Sequence, residues 1–194
     1  MGKITVIWAA TALAASAAPA SADRISQWQS FISEASDRFA VPERWIWHVM
    51  AVESGGNVKA NGMPIRSPAG AMGLMQLMPT TWAAMRDALH LGADPDDPHD
   101  NIVAGTAYLR AMYDSFGYPG LFAAYNAGPA RYADYLSGKR ALPLETRAYL
   151  QTLTARTDPP VMAPGLPKSP LFAVEDGVLE STSDGLFALK RPLP

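Results

Sequence analysis

The chain has 194 residues, 48% of them hydrophobic and 18% charged, which suits one domain with a sizeable core plus a tail and excludes a fibrous or wholly disordered protein. A formal net charge of −2 lacks the basic excess of a nucleic-acid binder. With no cysteine there is no disulfide framework, no zinc–thiolate site and no cysteine nucleophile.

The chain opens MGKITVIWAATALAASAAPASAD: Lys3, a short apolar run, then small residues around Ala20, Ser21 and Ala22. This is the layout of a secretory signal peptide over residues 1–22, cleaved after Ala22. Thr and Ser interrupt the run, which falls short of the roughly 20 apolar residues a membrane span needs. No cysteine follows it to carry a lipid, so the expectation is a periplasmic, soluble, monomeric protein with no span after cleavage.

From Asp23 to about residue 156 the apolar residues recur at helical spacing, and no run of alternating β-branched residues stands out. Trp28, Phe31, Ile32, Ala35 and Phe39 mark one buried face. Pro42 suits the start of a second helix, which passes Trp45, Val49 and Val52 and stops at Gly55-Gly56. A loop rich in Gly, Pro, Asn and Ser fills Asn57 to Met72. Further helices are predicted over Thr80–His90, Asp100–Phe116, Leu121–Asn126, Pro129–Ser137 and Leu144–Ala155. Residues 157–194 are too rich in proline to stay helical and read as a flexible, disordered tail. It carries two apolar quartets, LFAV at 171–174 and LFAL at 186–189, candidate docking peptides for a partner protein.

The chemistry centres on Glu53 in AVESGGN. Ile46, Met50 and Glu53 fall at i, i+4 and i+7, so the carboxyl ends an apolar stripe and faces inward or into a cleft floor. Partial desolvation and the negative end of the helix dipole both raise its pKa, which fits a general acid. A surface glutamate at a fraying helix end is the plainer reading of a lone Glu. Two more segments bear on that choice. AGAMGLMQLMPTTW sets Gly70, Gly73, Gln76 and the methionines Met72, Met75 and Met78 just before a helix starting near Pro79. AAYNAGP puts Tyr125 and Asn126 at a helix end broken by Ala127-Gly128-Pro129.

VES at 52–54, GLMQLMP at 73–79, AYNAGP at 124–129 and ETRAYL at 145–150 occur in an order that resembles the lytic transglycosylase family with the lysozyme-like catalytic domain. The small members that accompany secretion and conjugation machines are included in the resemblance, which spans Ile25 to Leu153. It implies a mainly α, lysozyme-like domain of the goose-type or soluble-transglycosylase kind over residues 23–156, with peptidoglycan as substrate and no cofactor. Glu53 would be the sole acid/base for the β-1,4 bond between N-acetylmuramic acid and N-acetylglucosamine, forming 1,6-anhydromuramic ends. Ser54 and Gln76 match positions that bind substrate or shape the cleft, and Met75 matches its apolar wall. Tyr125 matches a tyrosine that orients the carboxyl, and Asn126 an asparagine whose carbonyl meets the substrate. Gly73, Glu145 and Tyr149 belong to structural parts of the motifs. Leu144 departs from the pattern, which has an aromatic residue there. The resemblance also implies a partner in a secretion or conjugation system, reached through the tail segments.

Other candidates carry less. DPDDPHDN at 94–101 lacks the glycine and distant glutamate of an EF-hand loop and reads as a helix cap. His48, His90 and His99 lack metal-ligand spacing, so no metal site is expected. Arg131, Arg140 and Arg147 fit either carboxylates of the glycan or solvated helix faces. Two rival functions remain: a hydrolytic muramidase, with Asp87 or Asp97 as the second acid, and a peptidoglycan-binding assembly factor.

Overall fold

A computed structural model describes residues 18–159. Most of the expected signal peptide and the quartets at 171–174 and 186–189 lie outside the described residues. The chain forms α1 (Ala18–Ser26), α2 (Gln29–Phe39), α3 (Glu43–Glu53), β1 (Lys59–Ala60), β2 (Met63–Pro64), α4 (Pro79–Leu89), α5 (Pro98–Phe116), α6 (Gly120–Ala127), α7 (Pro129–Leu136) and α8 (Leu144–Thr154).

The helix ends follow local chemistry. Prolines occupy the first turns of α4, α5 and α7, where a missing N–H costs nothing. Asp97 caps α5 by accepting a bond from the Asp100 amide at 2.9 Å, as the DPDDPHDN stretch predicts. The expected face of the first helix is divided. Trp28 sits at the break between α1 and α2, and Ile32, Ala35 and Phe39 form the buried stripe of α2. Two short strands also appear inside the segment read as loop. Lys59 pairs with Pro64 and Ala60 with Met63, across a turn in which Asn61 and Gly62 both take positive φ. That is the Asn-Gly hairpin chemistry, and the dipeptide was its sequence signal.

The axis of the domain is α5. Every residue from Asn101 to Met112 is buried, so this helix has no solvent face along that length. α2, α4 and α6 pack on it, and α6 in turn carries α7 and α8. Trp45 of α3 is 1% exposed and meets the rings of Tyr113, Tyr118 and Phe122 at 5.5–5.6 Å. Trp45 Nε1 also donates to the Asp158 carbonyl, Arg44 pairs with the Asp158 carboxylate, and Thr157 is buried. The first residues of the segment read as tail are therefore held on the domain. Among the described residues no helix is long and apolar enough to cross a membrane.

His99 ties α2 to the start of α5. Its Nε2 meets Glu34 at 3.0 Å and its Nδ1 meets Asp100 at 3.0 Å. The Glu34 carboxylate, with help from Asp100, holds the imidazolium above its ordinary 6.5. A group whose pKa rises on folding contributes stability that is complete below its unfolded pKa and disappears as pH climbs through the folded one. We expect His99→Gln to destabilise the domain at pH 6 and to do so less at pH 8.5. Urea melts at the two pH values test this, and an equal loss at both would contradict it.

Candidate active site

Glu53, in the last turn of α3, faces inward because Ile46 and Met50, two turns and one turn earlier on its face, are fully buried. The helix must stop immediately afterwards. Ser54 closes it, its amide and hydroxyl both bonding to the Met50 carbonyl, and Gly55 and Gly56 follow at φ +60° and +76°. A Cβ on Gly56 would stand 2.8 Å from Ile25 and 3.1 Å from the Arg24 backbone. Glycine is required there for both reasons. α1 and the break after it grip the same turn from outside: Arg24 Nε donates to the Gly55 carbonyl and Trp28 Nε1 to that of Gly56.

The second wall is the segment Met72–Leu77, folded on itself by reciprocal bonds between the Met72 and Leu77 backbones at 2.9 and 3.0 Å. Asn101 fastens it to α5. Its Oδ1 accepts from the Met75 amide at 2.7 Å, and its Nδ2 donates to the carbonyls of Met72 and Pro95. Gly73, at φ +71°, lies directly against the Asn101 side chain and leaves no room for a Cβ. Gln76 is held at φ +47°, an uncommon conformation for a residue with a side chain, and its Nε2 donates to the Gly73 carbonyl.

Between these walls runs a cleft of about 560 Å³, whose lining includes Glu53, Gln76, Met78, Tyr108, Tyr125, Asn126, Arg131 and Glu145. Burial raises the Glu53 carboxyl from 4.5 to about 7. The Tyr149 hydroxyl acts against that rise and the Glu145 charge adds to it. Tyr149 is buried and its hydroxyl, though near enough to favour the ionised carboxylate, has no partner at full hydrogen-bonding geometry. Burial pushes the phenols of Tyr108, Tyr125 and Tyr149 upward, so all three stay neutral hydrogen-bonding groups. Replacing Tyr149 by phenylalanine removes a group that favours the anion. We therefore expect the Glu53 midpoint in a carbon-13 NMR titration to move above its wild-type value in Tyr149→Phe, and a fall would show the hydroxyl acting otherwise.

The structure brings Glu53, Gln76, Tyr125, Asn126 and Glu145 into one cleft, and it corrects several expected placements. Met75 is fully buried and directed at Gly105 of α5, so it backs the wall instead of lining it. The Ser54 hydroxyl serves the helix end, accepting from the Gly56 amide as well as donating to Met50, and does not line the cleft. Tyr125 donates to the Met75 carbonyl at 2.8 Å and so anchors the 72–77 segment. The phenol that favours the ionised Glu53 carboxylate is that of Tyr149, although its hydroxyl lacks full hydrogen-bonding geometry. Asn126 accepts from the Thr146 hydroxyl at 2.8 Å, joining α6 to α8. Glu145, expected to be structural, stands exposed at the cleft margin, next to Leu144, which is 77% exposed. Tyr108 and Arg131 complete the lining. Tyr108 had no signal beyond its helical spacing, whereas Arg131 lies just beyond the helix break at Gly128. Asp87 and Asp97 do not line the cleft.

A helical domain built around one buried central helix, with a single deep-set carboxyl in an open cleft, defines a lysozyme-like protein. Residues 30–146 match the Transglycosylase SLT domain, and the chain belongs to that family. It is 34% identical over 120 residues to the soluble lytic murein transglycosylase of Escherichia coli K12, covering 58% of this chain and 18% of that protein. It is 29% identical over 159 residues to the transglycosylase of Enterobacteria phage PRD1, covering 81% of this chain and 56% of that one. The fold matches the crystal structure of the 70 kDa soluble lytic transglycosylase of Escherichia coli with a TM-score of 0.58 and 29% identity, over 66% of this chain and 23% of that one. An inactive glutamate-to-glutamine mutant of the lytic transglycosylase Slt from Pseudomonas aeruginosa matches with a TM-score of 0.55, also at 29% identity, over 64% and 22% of the respective chains. The chain thus spans about a fifth of the length of the soluble murein relatives.

Proposed function

We propose that this chain is a peptidoglycan lytic transglycosylase and that Glu53 is its acid/base. The observation that carries this reading is the Glu53 carboxyl in the cleft, held protonated up to about pH 7 by burial at a helix C-terminus. In the first step Glu53 gives its proton to the oxygen of the β-1,4 bond between N-acetylmuramic acid and N-acetylglucosamine. As the C1–O bond breaks, the muramic acetamido oxygen bonds to C1. Glu53, now a carboxylate, takes the proton of the muramic C6 hydroxyl; O6 attacks C1, displaces the acetamido oxygen and closes the 1,6-anhydro ring. The carboxyl ends as it began. An acid whose pKa sits near the working pH serves both steps. Gln76 and Asn126 present polar groups to the strand, and Tyr125 holds the Met75 backbone behind Gln76.

Digestion of purified sacculi tests the chemistry. Soluble muropeptides one water lighter than their hydrolytic counterparts, absent with Glu53→Gln, are the expected result; reducing ends would overturn it. Glu145 gives the hydrolytic alternative a specific basis, since it is a second carboxylate on the cleft and its charge reaches Glu53. Ordinary glycosidases set two carboxyls against the bond, one of which activates water or attacks C1.

The wider setting is part of the proposal. The N-terminal pattern supports export to a periplasm with cleavage after Ala22, which retains Arg24, Ile25 and Trp28 to brace the turn after Glu53. Local opening of the wall for an envelope-spanning machine is supported by the resemblance to small secretion-associated members and by the quartets at 171–174 and 186–189. Loss of a co-purifying partner on deletion of residues 160–194 is the result expected if those quartets dock.

A further inference from the structure

We infer that Arg131 is the anion-recognising residue of the cleft and that it reads a carboxylate on the muramic side arm of the glycan. The inference rests on the function proposed above and adds the chemical feature of the strand that the cleft selects.

Arg131 is the only lysine or arginine among the described residues lining the cleft. Its Nε is buried and has no hydrogen-bond partner. Among the described residues it joins no ion pair, although Glu145 lines the same cleft, whereas Arg44, Arg66 and Arg86 each pair with a carboxylate. A buried donor without an acceptor carries a desolvation cost that a ligand can relieve. The backbone around Arg131 favours the same sign of ligand. α7 begins at Pro129, Gly128 and Pro129 also line the cleft, and no side chain caps that helix start. A helix N-terminus carries partial positive charge, and a guanidinium presents a planar fork matched to a carboxylate.

The backbone sugars of the strand are uncharged, so the carboxylates come from its side arm. Two sources share the chemistry: the lactyl group when the peptide has been removed, and the peptide itself when it is present. Neutral N-acetylglucosamine oligomers carry neither.

The test measures binding in the Glu53→Gln background, where strands are not cut, with and without Arg131→Gln. Three probes are titrated: peptide-bearing strands, strands stripped of peptide by an amidase, and N-acetylglucosamine oligomers. Loss of a charge-assisted, two-pronged contact is expected to weaken at least one carboxylate-bearing probe by about 10- to 100-fold. The probe that weakens identifies the source, and the neutral oligomer is expected to bind unchanged. Arg131→Lys, which keeps the charge without the fork, is expected to fall between. Equal weakening of all three probes, or no weakening of either charged one, overturns the inference. If the wild-type chain cuts sacculi and Arg131→Gln binds all probes normally, the inference alone fails. If the wild-type chain cuts nothing and binds none of the probes, the proposed function fails and takes the inference with it.

Discussion

Glu53→Gln is expected to abolish glycan cleavage and, above pH 7, to make the domain more stable than the wild type. The first half follows from the proton: an amide keeps the shape of the side chain but cannot serve as an acid, and general acid–base catalysis accounts for about 10² to 10⁴ in rate. The second half follows from burial. A carboxyl raised from 4.5 to about 7 favours folding in its neutral form, so its contribution is complete below pH 4.5 and is lost as pH rises through 7. Above pH 7 the folded wild type holds an ionised carboxyl at a cost of at most about 3 kcal/mol, reduced by water that reaches it through the cleft mouth. Glutamine carries no such cost. Melting curves at pH 4 and pH 8.5 should therefore separate the two proteins far more at the higher pH, with the mutant above. A mutant equally or less stable at pH 8.5 would mean that Glu53 is not held in the low-polarity setting from which its function is derived.

The second large effect is expected at Asn101, which does not line the cleft. This side chain is 1% exposed and serves three backbone groups, the amide of Met75 and the carbonyls of Met72 and Pro95. Truncation to alanine removes the partner of the Met75 amide and the bond to the Pro95 carbonyl, while the Met72 carbonyl keeps its bond from the Leu77 amide; a buried group stripped of its partner costs about 1–3 kcal/mol. Partial relaxation and entry of water bring the expected total to about 3 kcal/mol, a drop in Tm of about 6–12 °C. The damage should reach function too. Met75 supplies the carbonyl that holds Tyr125, and its neighbour Gln76 lines the cleft. Asn101→Ala should thus lose activity at temperatures where it remains folded. A shift of less than about 2 °C in Tm would show that the 72–77 segment is fixed by other contacts.

The helices were legible because their apolar residues repeat with the helical period and their ends carry proline, aspartate or glycine for local reasons. The break between α1 and α2 was not, since Trp28 fits the α2 stripe in spacing while its backbone does not continue the helix. The packing of Thr157 and Asp158 was also hidden, because Asp158 meets Trp45 and Arg44, more than a hundred residues earlier, and the Thr157 carbonyl accepts from the Tyr118 hydroxyl. In the site, the inward position of Glu53 could be read from Ile46 and Met50 on the same stripe. Which partners serve it could not. Tyr125 and Tyr149 are both buried tyrosines beside motif residues, and only the three-dimensional arrangement shows that one holds the Met75 carbonyl while the other acts on the carboxyl. Met75 likewise has the composition of a cleft wall, but a glycine at position 105 opens a place for it inside.

The reading of this cleft depends on one proton. Carbon-13 NMR titration of side-chain carboxyls, with Glu53→Gln used to assign the resonance, measures it without substrate. With burial as the dominant cause, the expected Glu53 midpoint is near 7. A midpoint near the ordinary 4.5 would leave the carboxyl ionised at neutral pH and contradict its role as the acid that starts the reaction.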